Sequence, residues 1–220
     1  MIALRDVFKF YHIHDIRRVV LDHVSVNFQP GRSYAILGMN GAGKSTLMRL
    51  LAGAELPNSG RIRRSIRVSW PLGFSGGLHK SLTARENCQF VARIYGEDVR
   101  KVVKFVEDFA EIGAYFEAPV GTYSSGMLQR VAFGLSMAID FDCYLIDETM
   151  SVGDGRFRDR CKHEFQIRKA RSDIIMTSHS ISIIRQYCDR VAVLVKGQLE
   201  LFDNVEDAIT KYNQLNMLPR

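Results

Sequence analysis

Ser33-Tyr34-Ala35-Ile36-Leu37-Gly38-Met39-Asn40-Gly41-Ala42-Gly43-Lys44-Ser45-Thr46-Leu47-Met48-Arg49-Leu50-Leu51 is the stretch on which the fold turns. Its first five residues read as a short buried strand, Gly38 to Gly43 as a glycine-rich loop, and Leu47 to Leu51 as an apolar helix. Gly38 to Ser45 fits G-x-x-x-x-G-K-[ST], and a strand before it with a helix after it is the context that gives the pattern meaning. In such a loop, glycines let consecutive backbone N–H groups turn inward onto phosphate oxygens, and the helix starting near Lys44 points its positive end at the same place. Lys44 adds a charge and the Ser45 hydroxyl can ligate Mg²⁺. The expected phosphate contacts are therefore Gly38, Asn40, Gly41, Gly43, Lys44, Ser45 and Thr46. A chance glycine turn would have to bring strand, loop and helix together as well.

Downstream, Cys143-Tyr144-Leu145-Ile146-Asp147-Glu148 is an apolar strand ending in two carboxylates. Alone, that pair would be an ordinary solvated strand end. With the phosphate loop in the same chain it matches the way P-loop NTPases hold Mg²⁺ beside the phosphates. Asp147 is the expected magnesium residue, acting through a water, and Glu148 the general base that polarises the attacking water. Tyr123-Ser124-Ser125-Gly126-Met127-Leu128-Gln129-Arg130 then opens an amphipathic helix, with Ser124 or Ser125 as its N-cap and its positive end open to an anion.

This segment resembles the signature of the ABC ATPase family, which most often reads Leu-Ser-Gly-Gly-Gln followed by Gln-Arg, here Gln129-Arg130. The order along the chain supports the resemblance: phosphate loop, helical lobe, signature, acidic strand, Ser151-Val152-Gly153-Asp154 like the family's D-loop, and His179 like its switch histidine. It spans essentially residues 1 to 210. The implied fold is α/β: a P-loop NTPase core with an N-terminal antiparallel β region and an inserted helical subdomain. The implied cofactors are ATP and Mg²⁺. Tyr11 looks like the aromatic platform for adenine, against the competing reading of an ordinary packing tyrosine. His179 would join Glu148 and Lys44 as a catalytic residue at the γ-phosphate. In the family two such domains sandwich ATP, so Ser124, Ser125 and Gly126 would act on the nucleotide of a second copy, and the pair would work with a separate integral membrane permease.

Some residues depart from the common pattern. Tyr123, Ser125 and Met127 differ from the usual signature, and Trp70-Pro71-Leu72-Gly73-Phe74-Ser75-Gly76-Gly77 lacks the glutamine most members carry there. That stretch, with Leu82 to Asn87 and Asp147 to Asp154, resembles the ATPase subunits of bacterial polysaccharide exporters, especially those for capsular polysaccharide. O-antigen exporters often add a carbohydrate-binding domain after the motor, whereas this sequence stops soon after a helix near Val205 to Asn216. The implied setting is the cytoplasmic face of the inner membrane, with an acidic glycan as indirect cargo, envelope polysaccharide co-exporters as further partners, and no nucleic acid. Motors for O-antigen, teichoic acid-type glycans or imported cargo share every catalytic residue. A soluble ABC protein acting on ribosomes or DNA usually needs two fused motors or long insertions, and a P-loop kinase has no use for Ser124-Ser125-Gly126.

Composition sets the outer bounds. A chain of 220 residues, 46% hydrophobic and 25% charged, is ordinary globular material, expected to form one domain with a helical subdomain at about 83–140. The longest near-apolar stretch, Val131 to Ile139, falls short of the about 20 residues a spanning helix needs. Arg5 and Asp6 interrupt any N-terminal apolar run. Cys88, Cys143, Cys161 and Cys188 show no metal-binding spacing. The net charge of +6 includes the clusters Arg61, Arg63, Arg64, Arg67 and Arg156, Arg158, Arg160, read first as solvated faces. Strands are expected at Ile2 to Val7, Val19 to Phe28, near Ile62 to Trp70, and at Cys143 to Ile146, Ile174 to Thr177 and Val191 to Val195. Lys196-Gly197 marks a hairpin and Thr83 to Glu86 a helix capping box.

Overall fold

The structure is a computed structural model that describes residues 1–72, 77–147, 155–178 and 180–217. Its contacts group into two compact units. One comprises the described residues of Met1–Pro71, Asp142–Glu148 and Ser172–Arg220, and the other those of Leu72–Phe141 and Thr149–Arg171.

The first unit holds two sheets. β1 (Ile2–Ile13) pairs antiparallel with β2 (Ile16–Phe28) on one side and β4 (Ser59–Arg64) on the other, in the order β2-β1-β4. Both hairpin arms run further than the alternation predicts. Polar pairs such as Tyr11 with Arg18 and His12 with Arg17 continue the ladder without a hydrophobic period to announce it.

The second sheet is the nucleotide-fold core. It is built from β3 (Tyr34–Leu37), β5 (Val68–Pro71), β6 (Cys143–Asp147), β7 (Asp173–Thr177), β8 (Arg190–Val195) and β9 (Gln198–Phe202), in the order β5-β6-β7-β3-β8-β9. All neighbouring pairs are parallel except β8 and β9, which the Lys196-Gly197 turn joins with positive φ at both residues, 46° and 81°. Every residue of β3 is buried, as a strand covered on both faces requires. Because β3 lies between β7 and β8, the loop leaving its carboxyl end opens beside the carboxyl ends of β7 and, one strand further, β6. That edge is where open parallel sheets bind their ligands.

One expected element divides in two. The stretch near Ile62 to Trp70 forms β4 in the first sheet and β5 in the second. At Ser65-Ile66-Arg67 the chain leaves β1, and Arg67 takes up Asp142: its N–H donates to Asp142 Oδ2 at 2.7 Å while its carbonyl accepts from the N–H groups of Asp142 and Cys143. Apolar periodicity alone cannot see a change of partner strand.

α1 (Lys44–Ala52) buries Leu47, Met48, Leu50 and Leu51 fully against the core formed with Ile36, Leu145, Ile175 and Leu194. Each such side chain contributes about 1.5–3 kcal/mol of burial. α6 (Ile181–Tyr187) and α7 (Val205–Met217) complete the unit.

The second unit is helical: α2 (Ala84–Tyr95), α3 (Val99–Ala110), α4 (Ser125–Ala138) and α5 (Gly155–Lys169), with 3-10 turns at Gly113–Glu117 and Val120–Thr122. The Thr83–Glu86 capping box is formed in both directions. Phe109 stacks on Phe105 and Phe133 and meets Phe157 edge-on, tying α3, α4 and α5 together. All four cysteines are buried. Among the described residues no helix is long and apolar enough to cross a membrane.

Candidate functional site

The loop from Gly38 to Gly43 owes its path to two positions. A Cβ on Gly38 would stand 2.8 Å from the Leu194 carbonyl oxygen, so only glycine lets β3 leave the sheet this close to β8. Gly43 has φ 107°, and a Cβ there would lie 2.3 Å from Val20 Cγ1. From Gly43 the chain turns directly into α1, whose first hydrogen bond runs from Leu47 N–H to the Gly43 carbonyl at 2.8 Å. Among the described residues α1 has neither a side-chain cap nor an acidic residue in its first turn. The N–H groups at this end thus have no carboxylate of their own first turn to satisfy them, which suits a phosphate.

Lys44 is 8% exposed, and its ammonium donates to the carbonyls of Gly38 at 2.8 Å and Met39 at 3.2 Å. The bonds from this buried cation to neutral carbonyls can be exchanged for stronger ones to phosphate oxygens. Arg18, from β2, donates to the Gly41 carbonyl at 2.9 Å and braces the outside of the loop. Ser45 is exposed at the start of the helix, Asn40 and Gly41 are exposed in the loop, and Thr46 is buried one residue past Ser45.

Asp147 ends β6 opposite Thr177 of β7, and the register carries on from Thr177 to Ile36 of β3. Its Oδ1 accepts the Thr177 hydroxyl at 2.7 Å, which fixes the carboxylate at the loop edge of the sheet. Phosphate loop, carboxylate and hydroxyl thus belong to one unit. A helix end, a lysine, a serine hydroxyl and a half-buried carboxylate form the donor set that a Mg²⁺–nucleoside triphosphate demands: cations and N–H groups for phosphate, hard oxygens for the metal. Glu148, His179 and Ser151 to Asp154 lie outside the described residues, as do Gly73 to Gly76.

Tyr11 sits near the end of β1 and is bound at its hydroxyl. Glu55 accepts from it at 2.6 Å, Arg49 donates to it at 3.2 Å, and Thr46 Oγ1 is 3.4 Å away. Lys9 completes the cluster, 2.8 Å from Glu55. Burial alone would raise the Glu55 pKa, but hydrogen bonds from Lys9, Tyr11 and Arg49 and the Lys9 charge outweigh it and push it down to about 2. The Tyr11 hydrogen bond also holds the Arg49 pKa above its usual value.

The signature residues lie in the helical unit. Ser124 is the N-cap of α4, its hydroxyl accepting from Met127 N–H at 3.3 Å, while Ser125 begins the helix and both serines are exposed. A Cβ on Gly126 would meet nothing within 4 Å, so this face of the first turn is open for close approach. Tyr123 gains a reason: its hydroxyl donates to the Tyr115 carbonyl at 2.6 Å and anchors the segment that enters α4.

Sequence reasoning missed Thr177, Arg18, Glu55, Arg49 and Lys9. Only Lys9 carried a signal, since a lysine between Phe8 and Phe10 in a strand needs a partner if it faces inward.

Comparison with known proteins gives four consistent findings. The sequence model of the family described as ABC transporter matches residues 21–151. The capsule polysaccharide export ATP-binding protein CtrD of Neisseria meningitidis serogroup B is 49% identical over 216 residues, covering 98% of this chain and 100% of that protein. The ATP-binding protein BexA of Haemophilus influenzae is 47% identical over 215 residues, 97% of this chain and 99% of that one. Among solved structures, the dimeric post-hydrolysis state of an ATP-binding cassette bound to ADP and Pi superposes with a TM-score of 0.72 at 21% identity, covering 91% of this chain and 97% of the other, and shares its fold.

Proposed function

The chain belongs to the ABC transporter family of ATPases, and from that premise we propose that it is the motor subunit that drives export of capsular polysaccharide through a separate membrane permease. The observation that carries the cargo is likeness to a capsule polysaccharide export ATP-binding protein along essentially the whole length of both chains. The observation that carries the chemistry is the phosphate loop with its buried Lys44 at the same carboxyl edge of the sheet as the Asp147 carboxylate.

Bound Mg-ATP would supply the phosphoanhydride to be cleaved and a divalent charge to neutralise it. The loop N–H groups of Gly38, Asn40, Gly41 and Gly43 and the first turn of α1 hold the phosphates. Lys44 gives up its carbonyl partners to neutralise charge there, and the Thr46 hydroxyl adds a donor. Ser45 and Asp147 hold the metal, with Thr177 keeping the Asp147 carboxylate in one orientation. Glu148 takes a proton from the attacking water and His179 orients that water. Tyr11 stacks the adenine.

Ser124, Ser125 and Gly126 present a helix N-terminus to the nucleotide of a second copy, so the homodimer is the catalytic unit. Contact with the γ-phosphate exists before hydrolysis and is lost after it, and the resulting change in pairing moves the permease. In this reading the chain works on the cytoplasmic face of the inner membrane and acts on an acidic glycan only through the permease and envelope co-exporters.

The test is a host cell carrying Glu148→Gln, with polysaccharide measured separately on the surface and in the cytoplasm. Polymer lost outside and accumulating inside is the expected result. An unchanged surface would remove the capsule reading and leave an ABC motor of another cargo.

A further inference from the structure

The cluster around Tyr11 restrains the ring from two directions. At the hydroxyl end, Glu55 accepts at 2.6 Å and Arg49 donates at 3.2 Å, while a second Arg49 bond, from Nε, holds Glu55 itself at 3.0 Å. Over one face of the ring, the Lys9 ammonium stands 5.1 Å from the centroid. Lys9 is 8% exposed and is fixed by Glu55 at 2.8 Å and by the Leu56 carbonyl at 2.9 Å. A buried ammonium costs stability unless paired, so this face is occupied by design of the cluster. With Lys9 over one face, a flat partner can stack only on the other, and the ring cannot swing without breaking charge-assisted hydrogen bonds. Arg49 also donates to the Thr46 hydroxyl at 3.2 Å, so the same cluster reaches the first turn of α1.

We propose that Glu55 is a positioning residue for base recognition: by anchoring the Tyr11 hydroxyl, with Lys9 and Arg49 completing the cluster, it sets the plane on which the nucleotide base stacks. This rests on the reading of Tyr11 as the adenine platform. Glu55 does not touch the nucleotide. It acts by removing the rotational freedom that stacking would otherwise have to overcome.

Binding, without turnover, tests it. Calorimetry on the full chain compares Mg-ATP with Mg-tripolyphosphate, which has phosphates and no base, for Tyr11→Ala, Tyr11→Phe, Glu55→Ala and the Tyr11→Phe/Glu55→Ala pair. Tyr11→Ala should weaken ATP about tenfold, in line with the loss of one base–aromatic stack. Tyr11→Phe and Glu55→Ala should each weaken it about threefold to fivefold, because they free the ring without removing it. Tripolyphosphate affinity should stay within about twofold in all of them. The pair should bind ATP no more weakly than the worse single variant, since both changes cut one link.

An equal loss for ATP and tripolyphosphate in Glu55→Ala would make Glu55 merely structural and overturn the proposal. If Tyr11→Ala weakens ATP while Glu55→Ala and Tyr11→Phe do not, the platform stands and the positioning role falls. If Tyr11→Ala itself has no effect, the platform reading and the proposal fall together. Should Glu55→Ala not fold, Tyr11→Phe decides alone: ATP affinity unchanged in that variant overturns the anchor.

Discussion

Thr177→Val is the most direct probe of how the sheet prepares Asp147, the carboxylate proposed to hold the metal. The substitution keeps the shape of a side chain that is 1% exposed and removes one hydroxyl, the donor that holds Asp147 Oδ1 at 2.7 Å. A hydrogen bond to a charged group contributes about 1.5–3 kcal/mol, but Asp147 is only half-buried and water can replace part of it. The expected stability loss is therefore about 1–2 kcal/mol, a fall of about 2–8 °C in Tm for a chain of this size. The functional effect should be larger and selective. Removing the partner that orients a metal-binding carboxylate typically costs about 10–100-fold in metal affinity. With ATP fixed, the Mg²⁺ concentration for half-maximal ATPase should rise about tenfold, while the rate at saturating Mg²⁺ changes far less. ATPase titration with Mg²⁺ and a thermal melt read both quantities. A variant with lowered Tm and an unshifted Mg²⁺ titration would refute the reasoning, because Thr177 would then hold the sheet and not the carboxylate's aim.

Three other outcomes follow from the same site. Lys44→Ala should weaken nucleotide binding, measured by calorimetry, because it deletes the cation that the loop carbonyls now store. Glu148→Gln should keep ATP binding, stall turnover and trap a dimer; a mass by light scattering that stays monomeric in saturating Mg-ATP would count against the sandwich. Glu55 has its pKa lowered from 4.5 to about 2, so its contribution is fully present above pH 4.5 and is lost as pH falls toward 2. Glu55→Gln should thus be less stable than the parent by about 1–2 kcal/mol at neutral pH after allowance for solvent screening. Chemical denaturation across that pH range should show the gap closing toward pH 2.

What the sequence makes legible and what it hides divide along physical lines. The phosphate loop reads clearly because its chemistry is local: Gly38 and Gly43 are demanded by contacts with Leu194 and Val20, but their spacing to Lys44 is fixed within one turn of chain. The Thr83 and Ser124 caps read for the same reason, since a cap and its target N–H lie three residues apart. Strand ends in the parallel sheet read from buried apolar runs. The division of the stretch near Ile62 to Trp70 does not, because the decisive contact joins Arg67 to Asp142 across 75 residues.

The same distinction explains why the partners of the proposed nucleotide-binding residues escape notice. Asp147 announces itself as a carboxylate after an apolar strand, yet Thr177, which aims it, is an unremarkable strand residue until the parallel register puts the two side by side. Tyr11 can be named from its position before the second strand, but whether it packs or presents a face depends on Lys9, Arg49 and Glu55, drawn from β1, α1 and the turn after it. Each of those three is a charged residue of a kind usually solvated, and only the fold makes them a cluster. A motif therefore locates the groups proposed to touch the nucleotide, while the residues that fix their orientation are chosen by sheet order. Differences in metal or base affinity among chains with identical motifs should accordingly trace to partners such as Thr177 and Glu55.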